Sequence, residues 1–324
     1  MTRYIVRRLL EAIPLLLLVS LVMFFVLRLV PGGPLAVYAR GQITPEALAQ
    51  IRVKLGLDQP LIVQYWRWLQ SALRGDLGSS FDTGRPVTVE IGERVGPTAY
   101  LIGSTFLVVL VISILVGVLS AVKQYSLLDI STTTLTFIGQ ALPVFWVGLM
   151  LILIFFSWTK NPVTGKPLLP ASGMSTVGAD FSIGDWLSHL ILPMTALGLG
   201  WVSWYSRYLR SSMLDVVHED YIRTARAKGL SEFKVVFKHA LKNAAIPLVT
   251  IVALDLPVLF GGSLFVEIIF SWPGMGRLFY RAVERRDYPI LMGTILIIAA
   301  MMVVANLIAD IVYAYLDPRI RYQD

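Results

Sequence analysis

The sequence predicts an all-α membrane protein with six transmembrane helices, and composition and segment length lead to this fold class. Of its 324 residues, 56% are hydrophobic and 15% are charged, whereas roughly a quarter of the residues in a soluble domain carry charge. The mean hydropathy is +0.70. A bilayer requires about 20 predominantly apolar residues per helix. Six segments meet this requirement: residues 9–30, 95–122, 130–159, 186–206, 245–270 and 288–316.

The first span, within residues 1–30, is predicted to remain as an uncleaved N-terminal transmembrane helix. Basic residues precede its apolar run, which is also how a signal peptide begins. The run is long, however, and no A-x-A-type cleavage site follows it.

Residues 31–94 are predicted to form a folded extracytoplasmic loop domain that contains two short helices. Thr44 suits the N-cap of the first helix, Pro45 its first position and Gly56 its C-terminal cap. The second helix ends before Gly75, and its apolar residues recur at helical spacing: Tyr65, Leu69, Ala72 and Leu73. A simple surface cap is equally compatible with this pattern.

The distribution of Lys and Arg predicts that both termini are cytoplasmic. In this orientation the inside segments carry fourteen Lys and Arg residues and the short outside loops carry six. Residues 31–94 are left out of the comparison, because loops of that length cross the membrane largely regardless of charge. The net charge of +7 is therefore mainly a topology signal, and it does not indicate nucleic-acid binding.

The segment between the fourth and fifth spans, residues 207–244, is a basic insert of helical character in an otherwise apolar sequence. Acidic residues stand at the front of its first helical run and basic residues at the end, an order that complements the helix dipole. Gly229 can adopt a left-handed cap, and Ser231 can cap the next helix. The predicted helix, glycine turn and helix can present a preformed surface to a soluble partner. A basic amphipathic pair lying on anionic lipid is the alternative.

Five stretches of this chain form a distinctive set. The insert reads "YIRTARAKGL" and then "KHALKNAAIPLV", and "FVEIIFSWPGMGRL" follows the fifth span. The others are the opening "RYIVRRLLEAIPLLLLVSLVMFFVLRLVPGGP", the loop text "LGLDQPLIVQYWRWLQSALRGDLGSSF" and the ending "YAYLDPRIRY". Together they resemble permease subunits of binding-protein-dependent ABC importers, specifically the dipeptide/oligopeptide branch. The resemblance covers nearly the whole chain. It implies the type I ABC importer permease fold, with residues 95–316 as the transmembrane domain and residues 317–324 as a cytoplasmic tail.

The resemblance also implies partners, cargo and location. The expected partners are a second homologous permease subunit, two ATPase subunits that hold ATP and magnesium, and an extracytoplasmic peptide-binding protein, all at the bacterial plasma membrane. The expected cargo is a di- or oligopeptide, with nickel complexes or glutathione as alternatives that relatives carry. This chain has no G-x-x-x-x-G-K-[ST] motif, so it is expected to be a transport subunit without an ATPase site or a cofactor of its own.

By resemblance, the insert is the loop that couples the permease to an ATPase. The match to the importer consensus E-A-A-x3-G-x9-I-x-L-P is partial, because Arg223 stands where the Glu is expected. The role of that Glu is therefore not carried over to this chain. The residues expected to form the coupling loop are Asp220, Tyr221, Arg223, Thr224, Ala225, Arg226, Gly229, Leu230, Ser231, His239 and Leu241.

An ion-coupled secondary transporter is the alternative from another class, since acidic residues inside spans often mark ion or substrate paths. Asp310 lies near the end of its span and is expected to hydrogen-bond to a neighbouring helix. Asp255 precedes a proline that is expected to kink the helix and two glycines that allow close approach. The predicted translocation path therefore comprises Asp255, Pro257, Gly261 and Gly262, although a packing kink is an equal alternative.

Metal and enzyme chemistry find little support in the sequence. Cysteine is absent, which excludes disulfides and thiolate metal sites. His189, His218 and His239 are scattered, and "HEDYI" lacks the second His of H-E-x-x-H. We therefore expect no catalytic residues and no metal site.

Overall fold

The structure, a computed structural model, describes residues 2–30, 33–36, 44–180 and 182–316. Its regular elements are helices, connected by turns and by two isolated β-bridges. In chain order the helices are α1 (Thr2–Leu29), α2 (Pro45–Lys54), α3 (Leu61–Leu73), α4 (Val87–Val122), α5 (Leu127–Ala141), α6 (Val144–Ile152), α7 (Ile183–Val217), α8 (Asp220–Ala227), α9 (Glu232–Lys234), α10 (Leu241–Ile269), α11 (Met275–Arg285) and α12 (Tyr288–Leu316). A 3₁₀ turn covers Gly33–Ala36, and π-helical turns cover Leu153–Trp158 and Val235–Ala240.

The all-helical fold class is confirmed. Within the described residues, five helices are long and apolar enough to cross a membrane, and a bent pair, α5 with α6, provides a sixth candidate span. Both short helices predicted before the second span are present as α2 and α3. Thr44 caps α2 by accepting a hydrogen bond from the backbone N–H of Ala47 at 3.3 Å, and Gly56 and Gly75 adopt the expected left-handed conformation.

The third predicted span, residues 130–159, is not one straight helix. α5 and α6 meet at an angle of 105°, and Leu142 and Pro143 separate them in extended conformations. The cause is local, since proline lacks a backbone N–H and its ring disfavours helical geometry in the preceding residue. Sequence reasoning counted apolar length here and gave too little weight to Pro143.

Several helices extend beyond the spans predicted for them, and the extensions of α4 and α7 change the predicted loops most. α4 begins at Val87, inside the predicted loop domain, because Val87 and Ile91 are buried in a core. α7 continues to Val217, so the first part of the predicted insert belongs to the fourth spanning helix. Only the part of the insert after Val217 leaves that helix.

By its internal contacts the chain divides into two compact units. The first unit comprises residues 1–98 and 273–304. Its main core joins Leu77, Val87 and Ile91 to apolar residues of α11 and α12. A smaller core packs Tyr65 of α3 edge-to-face on Phe24 of α1, with ring centroids 5.5 Å apart. Of the two helices of the predicted loop domain, α3 therefore packs against the first span, whereas α2 has no buried residue.

The second unit comprises residues 99–272 and 305–324. α7 is its central helix and packs against α5, α6 and α10. Close approach to α4 depends on Gly117, where an added Cβ would lie 2.9 Å from both the Leu209 Cβ and the Ser206 carbonyl oxygen. α5 and α7 are also joined by a partly buried ion pair, in which the Arg210 guanidinium donates to both carboxylate oxygens of Asp129 at 2.6 and 2.8 Å.

Candidate functional site

The predicted helix, glycine turn and helix of the insert is present. α8 starts directly after Glu219, and Gly229, with φ of +75°, ends it. The backbone N–H of Gly229 donates to the Arg226 carbonyl at 2.9 Å, so the turn closes the end of α8. Ser231 occupies the N-cap position of α9 as expected, but its side chain accepts no hydrogen bond from the helix.

One face of this element is fixed to the second unit by apolar packing. Ile222 is fully buried, and it lies in one core with Leu209 and Met213 of α7. Val235 and Ala240, from the turn that precedes α10, complete the same core. Because side chains of two spanning helices hold it, the element can transmit a displacement to those helices.

The opposite face is exposed and polar. Arg226 Nε donates to Glu232 Oε1 at 2.9 Å across the glycine turn, and Asn243 Nδ2 donates to the Tyr221 hydroxyl at 2.9 Å. Of the eleven predicted coupling residues, Ala225 is buried and Leu230, His239 and Leu241 are half-buried. The other seven are exposed: Asp220, Tyr221, Arg223, Thr224, Arg226, Gly229 and Ser231.

Sequence reasoning missed an aromatic pair on this element. Phe233 and Phe237 are 71% and 38% exposed, and their ring centroids lie 4.6 Å apart. Their spacing of four residues in a polar segment was the available signal, since residues four apart lie on one helix face. We call the exposed residues Tyr221, Arg223, Thr224, Phe233 and Phe237 the coupling surface.

The second unit also contains a cavity of about 500 Å³ between α5, α6, α7 and α10. Its lining is mainly apolar and includes Trp201, Trp204 and Gly200 from α7. Asp255 and Gln140 contribute the polar side chains. We call this space the membrane cavity.

The structure places only part of the predicted translocation path at this cavity. Asp255 lines it, whereas the surroundings of Pro257, Gly261 and Gly262 lie outside what the structure describes. α10 is helical throughout from Leu241 to Ile269, and the kink expected at Pro257 stays a prediction.

The Asp255 carboxylate is incompletely satisfied. Its Oδ2 atom is buried and has no hydrogen-bond partner among the described residues, and the same holds for the Tyr205 hydroxyl. Tyr205 and Trp204 lie close to the carboxylate and interact with it. Asp310, the other acidic residue noted in a span, is half-buried and does have an interaction partner.

A second, polar cavity of about 190 Å³ lies in the first unit. Sequence reasoning treated its α11 arginines only as outside charges, and their helical spacing of four residues was the signal that they share a face. We call this space the arginine cleft, after the basic residues that line it: Arg85, Arg94, Arg277, Arg281 and Arg285.

The acidic residues of the arginine cleft already have partners. The Ser80 hydroxyl donates to Asp287 Oδ2 at 2.5 Å, and the Thr83 hydroxyl donates to Glu90. Within the described residues, Arg94 and Arg281 form no hydrogen bond or ion pair. Burial, followed by the like charges of Arg281 and Arg94, lowers the pKa of the Arg277 guanidinium. The cleft therefore has an excess of positive charge.

Comparison with known proteins identifies the family. The model of the binding-protein-dependent transport system inner membrane component matches residues 113–322, and the model of the N-terminal part of such membrane components matches residues 1–102. The oligopeptide transport system permease protein AppB of Bacillus subtilis is 43% identical over 99% of this chain and 100% of its own length. The dipeptide transport system permease protein DppB of Escherichia coli K12 is 39% identical over all of both chains. The glutathione transport system permease protein GsiC of Salmonella paratyphi A is also 39% identical over all of both chains.

A solved structure shares the fold. The MetNI methionine ABC transporter in an inward-facing conformation aligns with a TM-score of 0.55 at 18% identity, covering 70% of this chain and 96% of the matched chain. At this identity the likeness concerns the fold alone, and it supports the predicted type I importer architecture. Full-length similarity to the curated permeases, two family models and the shared fold agree with one another. The chain is a multi-pass membrane protein that belongs to the family of binding-protein-dependent transport system inner membrane components.

Proposed function

We propose that this chain is the permease subunit of an ATP-driven importer that carries di- or oligopeptides across the bacterial plasma membrane. Support comes from full-length relatives named for oligopeptide and dipeptide transport. A relative named for glutathione transport is of similar identity, so glutathione is the competing cargo within the family, together with the nickel complexes expected from the resemblance. The ion-coupled secondary transporter gains no support from these relatives.

The working complex contains a second permease subunit, two ATPase subunits with ATP and magnesium, and an extracytoplasmic peptide-binding protein. We call the helix–turn–helix of residues 220–240 the coupling element. ATP binding draws the ATPases together and moves the coupling element of each permease. Turning a conformational equilibrium from 1:99 to 99:1 takes about 5.5 kcal/mol of differential binding, which nucleotide and docked binding protein supply jointly.

The main structural support for this proposal is that the coupling element has a buried inner face and an exposed outer face. Its inner face is packed into a core shared with α7 and α10, while its outer face exposes Phe233 at 71%. An exposed aromatic pair beside charged residues is typical of a surface that binds a partner. We assign the coupling surface to contact with an ATPase subunit.

The other two candidate sites take complementary roles in this proposal. The membrane cavity, with Asp255, is part of the translocation path. With both termini cytoplasmic, α11 lies outside, and the arginine cleft meets an acidic surface of the binding protein. Basic residues in short outside loops oppose the positive-inside tendency, which is consistent with a functional reason for the α11 arginines.

The orientation is tested with single cysteines, since the chain has none of its own. Ser172 and Lys228 are both exposed. Ser172→Cys should react with a membrane-impermeant thiol reagent on intact cells, and Lys228→Cys only after permeabilisation. The reverse pattern contradicts cytoplasmic termini and removes the assignment of the coupling surface.

The cargo is tested by uptake in cells that lack this subunit. We expect uptake of a labelled di- or oligopeptide to be lost and restored by the wild-type gene, while free amino-acid uptake persists. Loss confined to glutathione or to a nickel complex contradicts the peptide assignment and identifies the competing cargo. Uptake that persists without any ATPase subunit favours the ion-coupled alternative.

A further inference from the structure

The membrane cavity combines one carboxylate with aromatic and apolar walls. Its volume of about 500 Å³ lies in the range of cavities that hold small organic ligands, roughly 300 to 1,000 Å³. Asp255 is the acidic residue of its lining, and among the described residues no Lys, Arg or His side chain lines it. A charge so placed is costly unless a counter-charge is present.

The aromatic walls add a second feature that suits a cation. Trp201 and Trp204 both line the cavity, and Trp204 is 40% exposed. Trp201 also packs on Tyr205 with ring centroids 5.7 Å apart, which holds its indole in place. Indole faces attract organic cations, and they do so more strongly where water is excluded.

The polar lining distinguishes an organic cation from a metal ion. Hard metal cations require several oxygen ligands. Gln140 is the other lining residue with a carboxyl or amide oxygen in its side chain, and that oxygen already accepts a hydrogen bond from Arg207. A single carboxylate beside aromatic rings suits an ammonium group, which donates three hydrogen bonds and carries one charge.

We propose that the membrane cavity binds the ammonium group of a peptide cargo, with Asp255 as the counter-charge and Trp201 and Trp204 as aromatic walls. The proposal rests on the peptide assignment made above and adds which end of the peptide the permease recognises. An N-terminal amine and a lysine side chain offer the same chemistry, and only the N-terminal amine occurs in every unblocked peptide. We assign the site to the N-terminal amine.

The test measures equilibrium binding to the assembled transporter in nanodiscs, without the binding protein, so that recognition by that protein does not enter. The probes are Ala-Phe, N-acetyl-Ala-Phe and N-acetyl-lysine amide. We expect Ala-Phe to bind the wild type at least tenfold more tightly than N-acetyl-Ala-Phe. N-acetyl-lysine amide reports whether a side-chain ammonium is accepted, and tighter binding of this probe than of Ala-Phe contradicts the assignment to the N-terminal amine.

Two variants distinguish the contribution of the Asp255 charge from that of the open volume of the cavity. Asp255→Asn should weaken Ala-Phe binding roughly 10- to 100-fold and leave the weak binding of N-acetyl-Ala-Phe unchanged. Gly200→Leu should abolish binding of both peptides, because Gly200 lines the cavity and an added Cβ there meets no atom within 4 Å. The matched control is Gly103→Leu, a helical glycine that is equally open but does not line the cavity.

Three results would overturn the proposal. They are equal binding of the free and acetylated peptides by the wild type, unchanged Ala-Phe binding by Asp255→Asn, and equal losses in Gly200→Leu and Gly103→Leu. If Asp255→Asn fails to assemble with its partners, two measurements still test the proposal. They are the comparison of free and acetylated peptide on the wild type and the comparison of Gly200→Leu with Gly103→Leu. The cellular uptake test is independent of this cavity, so failure here leaves the peptide assignment separately testable.

Discussion

The coupling surface of the second unit and the arginine cleft of the first unit are both assigned to soluble partners, but they are built by different means. The coupling surface lies on a short helix–turn–helix, which buries Ile222 fully on its inner side and exposes an aromatic pair on its outer side. The arginine cleft gathers five arginines around acidic residues that already have partners. Apolar contact is non-directional and insensitive to screening, whereas exposed charges are screened by salt over about 10 Å at 0.1 M.

This difference separates two kinds of sensitivity. A surface that transmits force depends on a fixed backbone, so changes of geometry should impair it more than changes of charge. A surface that attracts a mobile partner depends on its field, so charge reversal and salt should dominate.

The largest effect is expected for Gly229→Val. Gly229 has a φ of +75°, and an added Cβ meets no atom within 4 Å, so the substitution introduces backbone strain without a clash. A β-branched residue strongly disfavours this conformation, and the turn between α8 and α9 should open. We expect normal membrane levels, no transport, and ATPase activity that the loaded binding protein no longer stimulates.

The matched control for this prediction is Gly165→Val. Gly165 has a similar φ of +68° and equally open surroundings, but it lies in the loop between α6 and α7, away from the coupling surface. Transport by Gly165→Val should remain near the wild-type rate. Two results together would favour the alternative in which the insert lies on anionic lipid. Gly229→Val would transport at the wild-type rate, and removing nearby basic residues would only weaken the association with lipid.

Local sequence signals predicted α8 and the turn at Gly229 well, because the conformation of this segment is determined by neighbouring residues. A left-handed glycine and the order of charges are enough to define α8 and the turn. The bend at Pro143 and the extension of α7 to Val217 were missed, because the spans were predicted from the length of apolar segments. Apolar length shows neither a bend within a segment nor a helix that continues into a polar one. Asp255 was identified because an acidic residue within a span is rare. The arginine cleft was missed because Arg94 and Arg277 are far apart in sequence, and only tertiary structure places them at one cavity.

The next effect concerns the aromatic pair. Phe233→Ala should weaken ATPase binding to the permease roughly tenfold or more, as expected for an aromatic anchor of an interface. Its 71% exposure means that the thermal stability of the isolated subunit should change little. Raising the salt concentration should not reproduce the defect. Val163→Ala, a truncation at a 90% exposed loop position, should have no effect on ATPase binding.

A smaller, salt-dependent effect is expected for Arg281→Glu. Arg281 is exposed, and within the described residues it has no hydrogen bond or ion pair. The concentration of binding protein that half-saturates ATPase stimulation should rise about three- to tenfold at low salt, and the difference should shrink as salt increases. Arg52→Glu on α2, also exposed, is the control for a general change of charge. Equal effects of both substitutions would contradict a specific role for the arginine cleft.

The smallest effect is expected at the charged rim of the coupling surface. Arg226 pairs with Glu232 at 2.9 Å, but their side chains are 40% and 65% exposed, and such pairs contribute under about 1 kcal/mol. Arg226→Glu should therefore reduce transport less than fivefold, and the exchanged pair Arg226→Glu with Glu232→Arg should recover most of that loss. The measurement is initial peptide uptake at two salt concentrations. A loss from Arg226→Glu as large as that from Gly229→Val would show that charge, and not the geometry of the turn, governs the coupling surface, and the contrast between the two surfaces would fail.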